Sequence, residues 1–306
     1  MPRRTDVWIA TIALAIVSKS VGAAALRAPC DESLTRSIPV RAPTAPGGHA
    51  FGQQIRGLPD DEREARIRQE LLSGNIPNFL RRLVPVRLPA PLQVDVVICA
   101  APDYLAIGSD DDFLLIPMRL GTALTAASQF GFTLPTPHMV DAIYAQAPVH
   151  FVPQPLPAGD EMRSTEYSLH HNELIGAQRA ALEAPLGTLS AGDKKDLVLT
   201  NRLWSHLDRV AIYGWHLTEG KPIQSLSTVH GWRYADYSHG ARLISTQVFI
   251  DDRPESIFEL MQDRRLAAAL SGEGTIENVL ELIKKLDANA RDQIAAALLG
   301  APSRKP

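Results

Sequence analysis

The order of the apolar segments constrains the fold of this 306-residue chain more than any other feature of its sequence. Val94 to Ala100 is an uninterrupted apolar run with β-branched residues, which predicts a buried strand. Strands and helices do not alternate regularly along the chain, so we expect an α+β fold, with a mixed sheet of short strands and flanking helices, rather than a doubly wound sheet. Further strands are predicted at 113–117, 197–199, 210–213, 243–244 and 247–250, and helices at 60–73, 122–130, 139–147 and 167–183.

The first 25 residues have the pattern of a secretory signal peptide. Arg3 and Arg4 precede an almost wholly apolar run from Val7 to Val17, and small residues follow at 22–25. The run is too short to span a bilayer as a helix, which needs about 20 apolar residues. We therefore expect a secreted or periplasmic protein with no stable membrane insertion once residues 1–25 are removed; an uncleaved membrane anchor is the alternative.

Three further segments follow the predicted signal peptide. Residues 26–50 are rich in proline and glycine and are predicted to be a flexible linker. Residues 51–253 are predicted to form the α+β main domain that carries the candidate site. Residues 254–306 have helical spacing and are predicted to be a helical C-terminal segment. The chain has two cysteines, Cys30 and Cys99, which could pair in an oxidising compartment.

The overall charge argues against two classes of partner. The formal net charge is −3 and the isoelectric point is about 6.3, so the chain has no basic footprint for nucleic acid. It also lacks a polybasic patch for anionic lipid. The expected partner is a polymeric, peptide or glycan substrate.

No other stretch of the chain is as rich as Gly214 to Gly240 in side chains that can move protons or bind metal. This segment contains His216, His230 and His239, together with Asp236 and Ser238. A segment that served only to pack would be mainly aliphatic, whereas here polar side chains lie among glycines that allow close backbone approach to a ligand. We therefore predict catalytic roles for the site residues Asp236, His239 and Ser238, with His171 from a preceding helix.

The three histidines of this segment are also candidate metal ligands. A catalytic zinc needs three protein ligands and an open position for water, and His216, His230 and His239 could supply them if the segment folds back on itself. Asp236 would then be a ligand, a general base or an anchor for a liganding histidine. The alternative is that these histidines are half-buried and bonded to backbone carbonyls.

One part of this segment resembles a known enzyme family. Ser238-His239-Gly240-Ala241-Arg242 is similar to the signature of the L,D-transpeptidases, in which Ser-His-Gly precedes a nucleophilic cysteine. His230-Gly231 is similar to an upstream element of the same family. The resemblance covers about 15 residues, and Ala241 stands where the nucleophile would be, so the family's covalent mechanism is not expected. Residues 213–243 are also similar to a group of secreted bacterial proteins without an assigned activity.

Two functions are consistent with these residues. The first is a hydrolase that acts on a cell-envelope or extracellular polymer through a histidine-centred site, with zinc as a possible cofactor. The second is a non-catalytic protein that binds a glycan or peptide by stacking on the aromatic side chains. The substrate-binding candidates for either function are Trp215, Trp232, Tyr234, Tyr237, Lys195 and Arg242.

Overall fold

The computed structural model describes residues 29–287. The predicted signal peptide and residues 288–306 of the predicted C-terminal segment lie outside the described residues. No helix in the described range is long and apolar enough to cross a membrane.

The described chain folds into small mixed sheets with helices packed around them, which confirms the predicted α+β class. The strands are β1 (Val84–Leu88), β2 (Val96–Ala100), β3 (Ala106–Gly108), β4 (Phe113–Leu115), β5 (Phe132–Thr133), β6 (Val149–His150), β7 (Ser190–Ala191), β8 (Lys195–Leu197), β9 (Ile212–His216), β10 (Pro222–Ser227), β11 (His239–Gly240), β12 (Ile244–Ile250) and β13 (Arg253–Ser256). The helices are α1 (Gly48–Gln54), α2 (Asp60–Leu72), α3 (Leu120–Phe130), α4 (Pro137–Gln146), α5 (Thr165–Ala181), α6 (Ile257–Leu260) and α7 (Ala267–Leu270). Residues 279–287 are also helical.

The larger sheet forms around the predicted apolar strand. Its order is β1-β2-β12-β13, all neighbours are antiparallel, and β5 pairs with the end of β12. Every residue of β2 is buried, as its uninterrupted apolar pattern predicts. Helix α2 turns Ile67 and Leu71 inward, and helix α3 ends at Gly131, whose φ of +81° is the left-handed conformation that glycine tolerates.

A disulfide joins Cys30 to Cys99 at the centre of this sheet. Cys99 is fully buried within β2, and the bond closes a loop of 69 residues. Residues 29–50, predicted to be a flexible linker, contact the body of the protein along this loop. Ile38 is buried, and the Arg41 guanidinium donates to the Asn75 amide oxygen at 2.8 Å.

The smaller sheet carries the candidate site. Its order is β10-β9-β8-β11, with β8 antiparallel to β9 and parallel to β11. Near the end of β9, Gly214 and Trp215 both have positive φ, at +105° and +56°. Such a conformation is unusual for tryptophan and redirects the backbone beside the site.

Several predicted boundaries differ from the structure. The strand predicted at 197–199 lies instead at Lys195–Leu197 and includes two charged residues, because tertiary partners compensate their burial. Strand β12 is one continuous strand rather than two. The region after 254 begins with part of β13 and continues as the short helices α6 and α7, since turns at 261–266 and 271–278 interrupt its helical pattern.

Candidate functional site

Strand β8 presents charged side chains to two separate environments. Lys195 and Asp196 are neighbours in an extended strand, so their side chains point to opposite faces of the sheet. The Lys195 ammonium lies 5.0 Å from the ring centre of Trp215 and 4.0 Å from Asp236 Oδ2. The Asp196 carboxylate accepts a hydrogen bond from the Tyr104 hydroxyl at 2.8 Å. Three of the predicted catalytic residues, Asp236, Ser238 and His239, lie on the Lys195 side.

The Asp236 carboxylate is the centre of the Lys195 side. Its Oδ1 accepts hydrogen bonds from the Ser238 backbone N–H at 2.8 Å and from the Ser238 hydroxyl at 2.5 Å. Its Oδ2 accepts from the Tyr234 hydroxyl at 3.1 Å and lies 3.7 Å from His239 Nε2. The short spacing along residues 234–239 therefore brings three polar side chains onto one buried carboxylate.

The charges around Asp236 and His239 favour an ionised acid beside a neutral base. Burial alone raises the pKa of Asp236. The charges of protonated His239 and of Lys195, together with the hydrogen bonds from Ser238, have a larger opposite effect and hold this pKa below its usual value. Burial lowers the pKa of His239 to about 4, although Asp236 acts in the opposite direction. Neither ring nitrogen of His239 has a hydrogen-bond partner. At neutral pH the His239 imidazole is therefore uncharged, and its unprotonated ring nitrogen can accept a proton.

Aromatic rings connect this buried pair to the surface. His230 is half-buried and stacks on Tyr234 with a ring-centre distance of 4.0 Å and an angle of 7°. The half-buried Tyr234 ring in turn contacts the fully buried His239 ring edge-on at 5.6 Å. Two half-buried rings, His230 and Tyr234, therefore lie in line with the buried His239 ring, and a substrate that approaches His239 from this side meets the stacked pair first.

A second buried cluster begins at Lys194, next to the site. Its ammonium donates to the Tyr237 carbonyl at 2.6 Å and to His171 Nδ1 at 3.2 Å. Burial lowers the pKa of Lys194 to about 8, while nearby acids such as Asp193 raise it. Burial and the Lys194 charge lower the pKa of His171 to about 2, so the neutral ring accepts this hydrogen bond. His171 therefore contacts Lys194 rather than the Asp236 carboxylate.

The Asp193 carboxylate has an unusual environment in this cluster. It is buried, and neither oxygen has a hydrogen-bond partner. Burial and the neighbouring Asp103 raise the pKa of Asp193 to about 7. Asp103 itself is paired with the Arg179 guanidinium at 2.5 Å. Asp193 is thus a buried acid with a near-neutral pKa next to Lys194. Acids with such shifted pKa values are frequent at functional sites.

Replacement of Asp193 by asparagine tests this environment. The raised pKa means that the folded protein binds a proton at Asp193 at pH values where the unfolded chain does not. The free energy of unfolding of the parent protein therefore falls as the pH rises from about 4 to about 7. Asp193→Asn should therefore gain stability relative to the parent by up to about 1.4 kcal/mol per pH unit across this range. Urea denaturation at pH 4.5 and pH 8 measures the difference. If the stability difference between the variant and the parent is the same at both pH values, Asp193 is ionised in the folded protein.

The Asp196 side of the strand is tightly packed. The Arg242 guanidinium lies 4.3 Å from the centre of the Tyr104 ring and donates to the carbonyls of Ala101 and Ser190 at 2.9 and 2.8 Å. A Cβ at Gly240 would lie 2.5 Å from the same ring, which explains glycine at this position. Arg242, a predicted substrate-binding residue, is buried and bonds to backbone instead.

His216 lies in a different environment from His239. Its Nε2 bonds to Asp141 Oδ1 at 3.0 Å, and its ring stacks on Tyr144 at 4.5 Å. The Tyr213 hydroxyl donates to the same Asp141 oxygen at 2.8 Å. Between residues 29 and 287, no group of three or more histidine, cysteine, aspartate or glutamate side chains is arranged to hold a metal ion. Zinc binding by His216, His230 and His239 stays a prediction.

The remaining predicted site residues differ in accessibility. Trp215 and Tyr237 are buried, whereas Trp232 and Tyr234 are half-buried. Ala241 is also buried, and its carbonyl accepts from the Leu105 N–H. Accessible aromatic surface at this site therefore comes from Trp232 and Tyr234, together with His230, and all three are half-buried.

Asp103, Asp193, Lys194 and Asp196 were not among the predicted site residues. The run Asp193-Lys194-Lys195-Asp196 resembles an exposed charged turn, yet its aspartates and Lys194 are buried and the Lys195 side chain is only 12% exposed. The signal was its position directly before the apolar residues 197–199, since charges that continue into a buried strand need buried partners.

Comparison with protein-family models, with curated proteins and with solved structures finds no match to this chain.

Proposed function

We propose that this protein is a secreted or periplasmic hydrolase that acts on a cell-envelope or extracellular polymer through Asp236 and His239. The observation that carries the proposal is the convergence of His239, Lys195 and Tyr234 on one buried carboxylate oxygen, at 3.7, 4.0 and 3.1 Å. A neutral imidazole beside an ionised carboxylate is a general base with a group that stabilises its protonated form.

The chemistry would proceed in two proton transfers. His239 accepts a proton from a water molecule that attacks the scissile bond, and Asp236 stabilises the resulting imidazolium. His239 then returns the proton to the leaving group. Ser238 holds Oδ1 of Asp236 through two hydrogen bonds and so fixes the carboxylate. Lys195, which is partly accessible beside Trp215, offers a positive charge to the reacting group.

The location outside the cytoplasm is supported by two observations. The N-terminal sequence has the pattern of a signal peptide, and Cys30 and Cys99 form a disulfide, a bond that persists mainly in oxidising compartments. A polymer substrate is supported by the half-buried rings of Trp232, Tyr234 and His230, of which Tyr234 donates a hydrogen bond to Asp236 and stacks on His230. A binding-only function would depend on these few rings, because Trp215 and Tyr237 are buried.

Turnover of defined polymers tests the proposal. The mature protein is incubated with purified peptidoglycan sacculi and, separately, with an extracellular polysaccharide, and soluble fragments are measured by chromatography. We expect fragments from one of the polymers. Sedimentation of the protein with a polymer that stays intact would contradict the hydrolase and favour the glycan-binding alternative.

A further inference from the structure

Four arginines surround a small cavity next to the candidate site. They come from separate parts of the fold: Arg63 from α2, Arg119 from the residue before α3, Arg163 from the turn before α5, and Arg233 from the segment that carries Tyr234 and Asp236. The cavity has a volume of about 20 Å³, which is enough for one water-sized group. We call these four residues the arginine cluster.

The arginine cluster has more positive than negative charge. Asp60 pairs with Arg63 and Arg163, and Asp61 pairs with Arg119 and Arg233. Glu64 lines the cavity itself, is buried and accepts a hydrogen bond from the Arg119 backbone N–H at 2.9 Å. Four guanidinium groups therefore face three carboxylates. Glu166 also acts on Arg63 but is paired with Arg56, so this balance is unchanged, and burial raises the pKa of Glu64.

Two of the ion pairs are suited to exchange with a ligand. The side chains of Arg163 and Arg233 are 44% and 43% exposed, and Asp60 and Asp61 are 35% and 46% exposed. Ion pairs at this exposure contribute little to stability, since water competes with them. In contrast, the Arg119 side chain is only 6% exposed and is fixed by its bonds to Asp61 and to the Arg233 carbonyl. The cluster thus combines a fixed, buried guanidinium with two that are partly exposed to solvent.

We propose that the arginine cluster binds an oxyanion, either a carboxylate or a phosphate group, of the polymer on which the site acts. One oxygen of this group enters the cavity, and Arg163 and Arg233 bond to the others in place of Asp60 and Asp61. Guanidinium groups bind carboxylate and phosphate with paired, charge-assisted hydrogen bonds. Arg233 is three residues from Asp236, so a bound oxyanion anchors the substrate close to the reacting pair. This inference names the charge of the substrate and rests on the proposed function.

Binding of simple anions tests the arginine cluster without any polymer. Inorganic phosphate or acetate is titrated into the protein at constant ionic strength maintained with sodium chloride, and the melting temperature is followed. We expect a saturable rise with phosphate, acetate or both, and the response to each separates the two groups. The double variant R163Q/R233Q should weaken binding at least tenfold, whereas R253Q, which removes an exposed arginine of β13, should bind like the parent.

A gain-of-binding variant separates a ligand site from a purely structural network. D60N removes the carboxylate that pairs with Arg63 and Arg163, so we expect tighter anion binding, by about threefold or more. A structural network predicts only lower stability. Equal anion responses in the parent and R163Q/R233Q, or weaker binding by D60N, would overturn the inference. Anion binding without turnover of any polymer would instead remove the proposed hydrolase and leave the arginine cluster as an oxyanion site.

Discussion

Replacement of Asp236 by asparagine is expected to reduce polymer turnover by about a hundredfold or more, with the fold retained. Loss of the carboxylate removes the charge that stabilises protonated His239 and places an amide against the hydroxyls of Tyr234 and Ser238. Proton transfer by a positioned side chain contributes about 10²–10⁴-fold to the rate. The stability cost should be about 1–3 kcal/mol, since buried partners lose an acceptor. Rates of fragment release and urea denaturation measure the two effects.

A matched control for this variant is Asp208→Asn. Asp208 is an exposed aspartate whose side chain is 65% accessible and pairs only with its neighbour Arg209 among the ion pairs of the described residues. It should keep turnover and stability close to the parent. Parental activity in Asp236→Asn would show that the buried carboxylate serves packing alone.

Removal of the disulfide is expected to have the largest effect on stability. The bond closes a loop of 69 residues, and the loss of chain entropy in the unfolded state predicts a stabilisation of about 4 kcal/mol. The double variant Cys30→Ala/Cys99→Ala should lose about this amount of unfolding free energy. Cys99 is fully buried in β2, so part of the loss also comes from packing.

Reduction of the parent protein separates these two contributions. Dithiothreitol reduces the disulfide and opens the loop but keeps both sulfur atoms. The loss of unfolding free energy in the reduced parent should therefore approach that of the double variant. A loss below about 1 kcal/mol in both experiments would mean that residues 29–50 are held by their other contacts and that the loop model is wrong here.

The sequence predicted those helices and strands whose own pattern of residues indicates their conformation. Helices α2 and α3 lie close to their predicted positions because their apolar residues recur at helical spacing and face the core. Helix α5 also lies close to its predicted position, although Ile175 is the one apolar residue among its buried side chains. Strand β2 was predicted because every one of its residues is apolar. Strand β10 was not predicted, because Pro222–Ser227 is a partly exposed edge segment whose conformation depends on pairing with β9.

The candidate site could be predicted only where its residues are close in sequence. Asp236, Ser238 and His239 meet because a turn of four residues brings them together. Lys194 and Lys195 join them through pairing of β8 with β11, which no local pattern indicates. Gly214 and Trp215, which have positive φ, come just before His216. The His216 ring bonds to Asp141 and stacks on Tyr144, both from helix α4. That placement depends on tertiary packing rather than on the spacing of histidines.

The pH dependence of fragment release tests the role of His239 most directly. Because burial lowers the pKa of His239 to about 4, its neutral, proton-accepting form should persist down to about pH 5. We expect kcat/KM for the polymer to be level from neutral pH to about pH 5 and to fall to half near pH 4. An acid limb near pH 6.5, the value of an ordinary histidine, or no fragments from any polymer at any pH, would contradict the assignment of His239 and Asp236 as the reacting pair.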